Sequence, residues 1–245
     1  MRLLITIFII SLICFNAKAQ VFDVSYKDKT PTRTLLLPAQ NAKAVVLLFP
    51  GGGGLMNLQN DGSTSNRHTF VRSKELWSKF GIDAVLVDTP YDLGRGPNNL
   101  RFYPEHQERI YNVVKYYKDK TNLPIWLFGH SMGTVSASEF ANKNSEQQKM
   151  IKGIVLAGTY KSVSLNNDVT LPVLVIRHSL DGCQSVPMRT SEEIIKNRPK
   201  EVRSQLILID GGIDKGDACQ AGGYHGFNGT EDQLVKDAAE FILKK

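Results

Sequence analysis

Six short runs, at residues 44–49, 84–87, 125–128, 154–156, 173–176 and 206–209, are apolar at nearly every position rather than at every second one. A strand with one wet face alternates; a run without alternation has both faces covered. Between these runs lie stretches with apolar residues at helical spacing, at 70–80, 105–118, 134–142, 191–196 and 231–244. Gly81 is placed to end the first, and Thr230 to begin the last, with acids in its first turn and lysines in its last. Residues 32–37 suit an extra strand at the sheet edge. Alternation of strand and helix predicts the α/β class, a mostly parallel sheet flanked by helices on both faces. Ligands in such sheets bind beyond the carboxyl ends of the strands. The residues following each run are therefore where chemistry is expected.

The first nineteen residues read differently. Arg2, the largely apolar run 3–15 and then Ala17-Lys18-Ala19 have the order of a secretory signal peptide cleaved after Ala19. The apolar run falls short of the ~20 residues of a spanning helix, so no stable membrane insertion is expected after cleavage. Residues 20–245 are expected to form one domain in the periplasm or outside the cell. The full chain of 245 residues carries a formal charge of +6, with no Lys/Arg run or basic stripe interleaved with aromatics, so no nucleic-acid partner is expected. Removal of Cys14 with the leader would leave Cys183 and Cys219. Two cysteines in an exported chain predict one disulfide, the alternative being two buried thiols.

The run 125–128 is followed by Gly129-His130-Ser131-Met132-Gly133 and then a helical stretch. G-x-S-x-G between a strand and a helix is the context in which glycines permit a strained turn that exposes a serine hydroxyl. After 44–49 comes Pro50 and four glycines, 51–54. The Lys-Ser/Thr ending of a phosphate loop is missing, so a loop whose amides face an oxyanion is the better reading. Gly52 and Gly53, with the Met132 amide, are the expected donors. Asp181 follows the run 173–176, and His225, between glycines, lies in the loop before the last helix. His225 is expected as base and Asp181 as its partner; a Cys183–Cys219 bridge would tie their loops together. His178, Asp181 and Cys183 as a metal site is the weaker alternative, and no metal or cofactor is expected.

These residues resemble the α/β-hydrolase superfamily from about Val45 to the C-terminus, and within it exported bacterial proteins near the dienelactone-hydrolase-like branch. The similarity is carried by Phe49-Pro50 with glycines 51–54, Val71-Arg72, Val87-Asp88-Thr89-Pro90, Arg101 with Glu105-His106, residues 129–133, Asp181-Gly182-Cys183 and His225-Gly226-Phe227. Dienelactone hydrolases themselves place cysteine where this chain has Ser131, so lactone hydrolysis is not carried over. The resemblance implies a Ser131–His225–Asp181 triad acting on a small-molecule ester through an acyl-enzyme. Acyl transfer on the same triad and a non-catalytic envelope-binding module are the competing readings. Residues 159–171 are too few for a helical cap, residues 57–68 suit one wall of an open cleft, and Tyr91, Phe102 and Tyr160 are candidates to line it.

Overall fold

The computed structural model describes residues 18–95 and 100–244. The expected leader, residues 1–19, lies outside them apart from its last two positions. The strands are β1 Gln20–Tyr26, β2 Lys29–Leu37, β3 Ala44–Phe49, β4 Ile82–Val87, β5 Ile125–His130, β6 Gly153–Ala157, β7 Val173–His178 and β8 Ser204–Ile209. The α-helices are α1 Thr69–Ser73, α2 Tyr91–Gly94, α3 Pro104–Thr121, α4 Gly133–Lys143, α5 Ser145–Met150, α6 Met188–Lys196 and α7 Glu231–Leu243. The eight strands form one open sheet in the order β1-β2-β4-β3-β5-β6-β7-β8. From β4 across to β8 every pairing is parallel, while β2 runs antiparallel to both β1 and β4.

Unalternated strands have the predicted consequence. Val45, Leu47 and Phe49 of β3 face one apolar layer with Val113 and Tyr117 of α3 and Phe140 of α4. Val46 and Leu48 face the other, with Phe70, Trp77 and Leu234, Val235 and Ala238 of α7. Strands β2 to β7 each supply both cores, and this part of the sheet is clamped from both sides. The run 206–209 departs from its expected two-sided cover: β8 is the outer strand of the sheet, buries only Ile209 and leaves Leu208 exposed. Among the described residues the connection between β6 and β7 contains no helix, and the fold carries no large cap domain.

Three local expectations are corrected. Residues 32–37 belong to β2, which is not an edge strand, because β1 pairs outside it. In β1 only Val24 and Tyr26 are buried, two positions apart, the pattern of a strand with one wet face. The stretch 70–80 is not one α-helix: α1 gives way to a 3-10 segment, Lys74–Phe80, whose tighter winding aligns Trp77 and Phe80, three apart, against the sheet. Gly81 does end it, at φ +67°. Thr230 precedes α7 as expected, but its hydroxyl donates to the Phe227 carbonyl instead of capping the helix, and α7 ends before its lysines.

Candidate active site

The carboxyl ends of β3 and β5, residues 66–68 and the loop after β8 converge on one open cleft of about 400 Å3. Ser131 follows β5 at φ +53°, a left-handed conformation that costs a non-glycine residue energy and is kept here by its surroundings. Its amide donates to the Ala157 carbonyl at 2.9 Å, and its own carbonyl accepts from the Thr134 amide at 2.9 Å. The flanking glycines are obligatory. A β-carbon on Gly129 would lie 2.2 Å from the Gly133 carbonyl oxygen, and one on Gly133 2.0 Å from that of Phe49.

Asp181 and His225 meet although 44 residues separate them, with His225 Nδ1 donating to Asp181 Oδ2 at 2.9 Å. Both are buried, at 7% and 2% exposure. Burial alone would raise the Asp181 pKa; the hydrogen bond and charge of His225, the Cys183 amide on Oδ1 at 2.9 Å and Arg177 outweigh it and hold the carboxyl below the ordinary range. The Cys183–Cys219 disulfide joins the acid loop to the loop leading to His225, so Cys183, weighed as a metal ligand, is taken up in the bridge. Ser131 and His225 open onto the same cleft; among the described residues no hydrogen bond joins their side chains in this structure.

Sequence reasoning gave His68 and His130 no role, yet both line the cleft. His130 Nε2 lies 2.8 Å from the carbonyl oxygen of His225, so that nitrogen carries a hydrogen. Burial pulls the His130 pKa down to about 3, which leaves the ring neutral and its Nδ1 an acceptor. His68 Nε2, 2.9 Å away, therefore donates to it, and His68 Nδ1 accepts from the Phe70 amide at 3.1 Å. Burial also holds His68 well below the ordinary histidine value. The chain from Phe70 through two imidazoles to the His225 backbone has one consistent direction. The Gly51 amide points at the same His68 Nε2 from 3.0 Å, and that nitrogen accepts from it only in the tautomer that does not donate to His130.

Of the expected oxyanion donors, Gly52 lies on the cleft wall with nothing within 4 Å of a notional β-carbon, while Gly53 packs against the Gly94 carbonyl. Met132 stands just ahead of α4, and among the described residues its amide has no backbone acceptor. Of the 57–68 segment only its end, Asn66, Arg67 and His68, lines the cleft; Cys219, Gln220 and Ala221 line it as well. Tyr91, Phe102 and Tyr160 do not line it. Gly158, after β6, was not singled out from sequence: at φ +53° it leaves room for the imidazole, its notional β-carbon lying 3.3 Å from His225 Cε1.

The profile of the alpha/beta hydrolase family matches residues 79–237, spanning the serine turn, Asp181 and His225. The chain belongs to that family. Among solved structures it is similar to a dienelactone hydrolase from Anabaena variabilis (TM-score 0.66, 16% identity, covering 92% of this chain and 97% of that one). It is similar also to an α/β serine hydrolase without lid from Xanthomonas campestris (0.63, 14%, 92% and 93%). A monoglyceride lipase from Saccharomyces cerevisiae matches at 0.61, with 14% identity over 92% and 96%. At these identities the likeness is one of fold. No curated protein is recognisably similar in sequence.

Proposed function

We propose that this member of the alpha/beta hydrolase family is an exported serine hydrolase of small carboxylic esters, with Ser131, His225 and Asp181 as its triad. The observation that carries the reading is a serine held at φ +53° on a strand-to-helix turn, opening onto the cleft of a histidine bonded at 2.9 Å to a buried aspartate. A neutral serine hydroxyl is a poor nucleophile and needs a base. His225 Nε2 takes the Ser131 proton as the Oγ–carbon bond forms and the carbonyl electron pair moves onto oxygen. Asp181 fixes the tautomer in which Nε2 is free and stabilises the imidazolium. The Met132 amide and one amide of the 51–54 loop receive the oxyanion. Collapse expels the alcohol, which takes the proton from His225, and water repeats the sequence to release the acid. Nucleophile–base contacts are often long before substrate binds, in keeping with the unclosed Ser131–His225 contact.

The lining favours small acyl groups. Ala221 is the largest aliphatic side chain in the cleft wall, beside imidazoles, Asn66, Arg67 and Gln220. Each methylene moved out of water contributes about 0.8 kcal/mol only where an apolar surface receives it. Export is supported by the leader-like first residues and by the disulfide; no helix among the described residues is long and apolar enough to cross a membrane. Labelling with a fluorophosphonate followed by peptide mapping tests the nucleophile. Modification is expected on Ser131 and lost in Ser131→Ala; a protein that does not react, or reacts equally without the hydroxyl, overturns the assignment.

A further inference from the structure

Arg101 sits in a 3-10 turn, Leu100–Phe102, just ahead of α3, and is 1% exposed. Among the described residues no carboxylate pairs with it; burial, unopposed, pulls its guanidinium down to about 9. Its partners are all neutral. Nη2 donates to the Pro50 carbonyl at 2.6 Å and to the Gly52 carbonyl at 3.0 Å, and Nε reaches the same Gly52 oxygen at 3.3 Å. On the other side Nη1 donates to Ser136 Oγ at 3.0 Å, and that hydroxyl lies 2.8 Å from His106 Nε2. A buried cation without an anion is costly, and the neutral carbonyls offset that cost only in part.

The loop's geometry shows what the arrangement does. In a planar trans peptide the C=O and N–H point in opposite directions. Drawing the Pro50 oxygen inward therefore turns the Gly51 amide outward, to the cleft side where His68 stands. Gly51 is close to the serine: a β-carbon on it would lie 3.0 Å from Ser131 Cβ. We propose that Arg101 is a positioning residue for the reaction at Ser131, aiming the Gly51 amide at the developing oxyanion and presenting, one peptide behind it, a cation that meets an opposite charge only as that oxyanion forms. An interaction stronger in the transition state than in the ground state accelerates the chemical step without tightening substrate binding. This inference rests on the hydrolase reading.

The test compares wild type, Ser131→Ala, Arg101→Lys and Arg101→Met, using p-nitrophenyl acetate turnover and inhibition by a trifluoromethyl ketone, whose adduct with serine carries an oxyanion. Arg101→Met is expected to lower kcat about 10²-fold, the scale of losing one oxyanion donor, with KM within about twofold and the ketone bound about 10²-fold more weakly. Arg101→Lys keeps the charge but not the two-pronged grip, and is expected between the two. Folded Arg101 variants with wild-type kcat and ketone affinity would overturn the proposal. Should neither variant fold, Arg101→Gln, whose side-chain amide keeps a donor for the loop carbonyls without the charge, is expected between wild type and the loss given for Arg101→Met in both readouts; wild-type kcat and ketone affinity there would overturn the proposal equally. Ser131-dependent turnover that ignores Arg101 removes this inference alone, whereas a wild type without Ser131-dependent turnover removes the hydrolase reading and this inference with it.

Discussion

At the scale of single residues, the site is built from positions where a side chain cannot be and positions where one is forced. Gly133 is of the first kind, since the atoms a β-carbon would strike, the Phe49 and Pro50 carbonyl oxygens at 2.0 and 2.8 Å, are backbone and cannot swing aside. Accommodating alanine would push β3 and the glycine loop away from the serine turn. Gly133→Ala is expected to lose about 3 kcal/mol or more of stability in urea unfolding, or to fail to fold; a loss under about 1 kcal/mol would show that the contact relaxes cheaply. Ser131 is of the second kind, a non-glycine residue at φ +53° that two backbone hydrogen bonds hold in place. Its neighbourhood was legible in the sequence because both requirements leave marks: glycines on either side and a run of strand residues before them. His68 and His130 left no comparable mark, and Arg101 stood only within the family resemblance, with no role attached to it. A histidine or arginine reads as a surface residue until the fold shows that its nitrogens meet backbone carbonyls and other rings.

At the scale of elements, strands that feed both cores were legible as unbroken apolar runs, and these place the serine, the aspartate and the glycine loop at one edge of the sheet. What escaped was β1, whose alternating burial is the mark of an edge, and the winding of the 70–80 segment, which is decided by packing under Trp77 rather than by local preference. The histidine turn is held from two sides. Arg72 donates to the Gly226 carbonyl at 2.7 Å and to Glu231 at 2.6 Å, while the disulfide ties the preceding loop to Cys183. The bridge closes a separation of 36 residues, worth about 4 kcal/mol on chain-entropy grounds. Because the Cys183 amide also supports Asp181, reduction is expected to lower both the unfolding temperature and ester turnover. Calorimetry and initial rates with and without dithiothreitol check this; a reduced protein that keeps both would show that the bridge does not hold the site.

At the scale of the whole molecule, neutral buried histidines tie stability to pH. Burial holds His68 and His106 well below the ordinary value and His130 at about 3. The unfolded chain takes up these protons from about pH 6.5 downward, while the folded chain does not. Their stabilising contribution is therefore complete above the unfolded value and is lost as pH falls below it. His106→Gln removes one such proton, so wild type should lose stability faster than the variant by about 1.4 kcal/mol per pH unit below 6.5. Urea midpoints at pH 7, 6 and 5 check this; parallel slopes would mean that His106 is protonated in the fold.

The reading as a whole comes down to whether Ser131 is the attacking atom. Turnover of p-nitrophenyl acetate by the purified wild type and by Ser131→Ala, both verified as folded, tests this directly. A fall of about 10⁴-fold or more is expected, and equal rates in the two proteins would contradict the account.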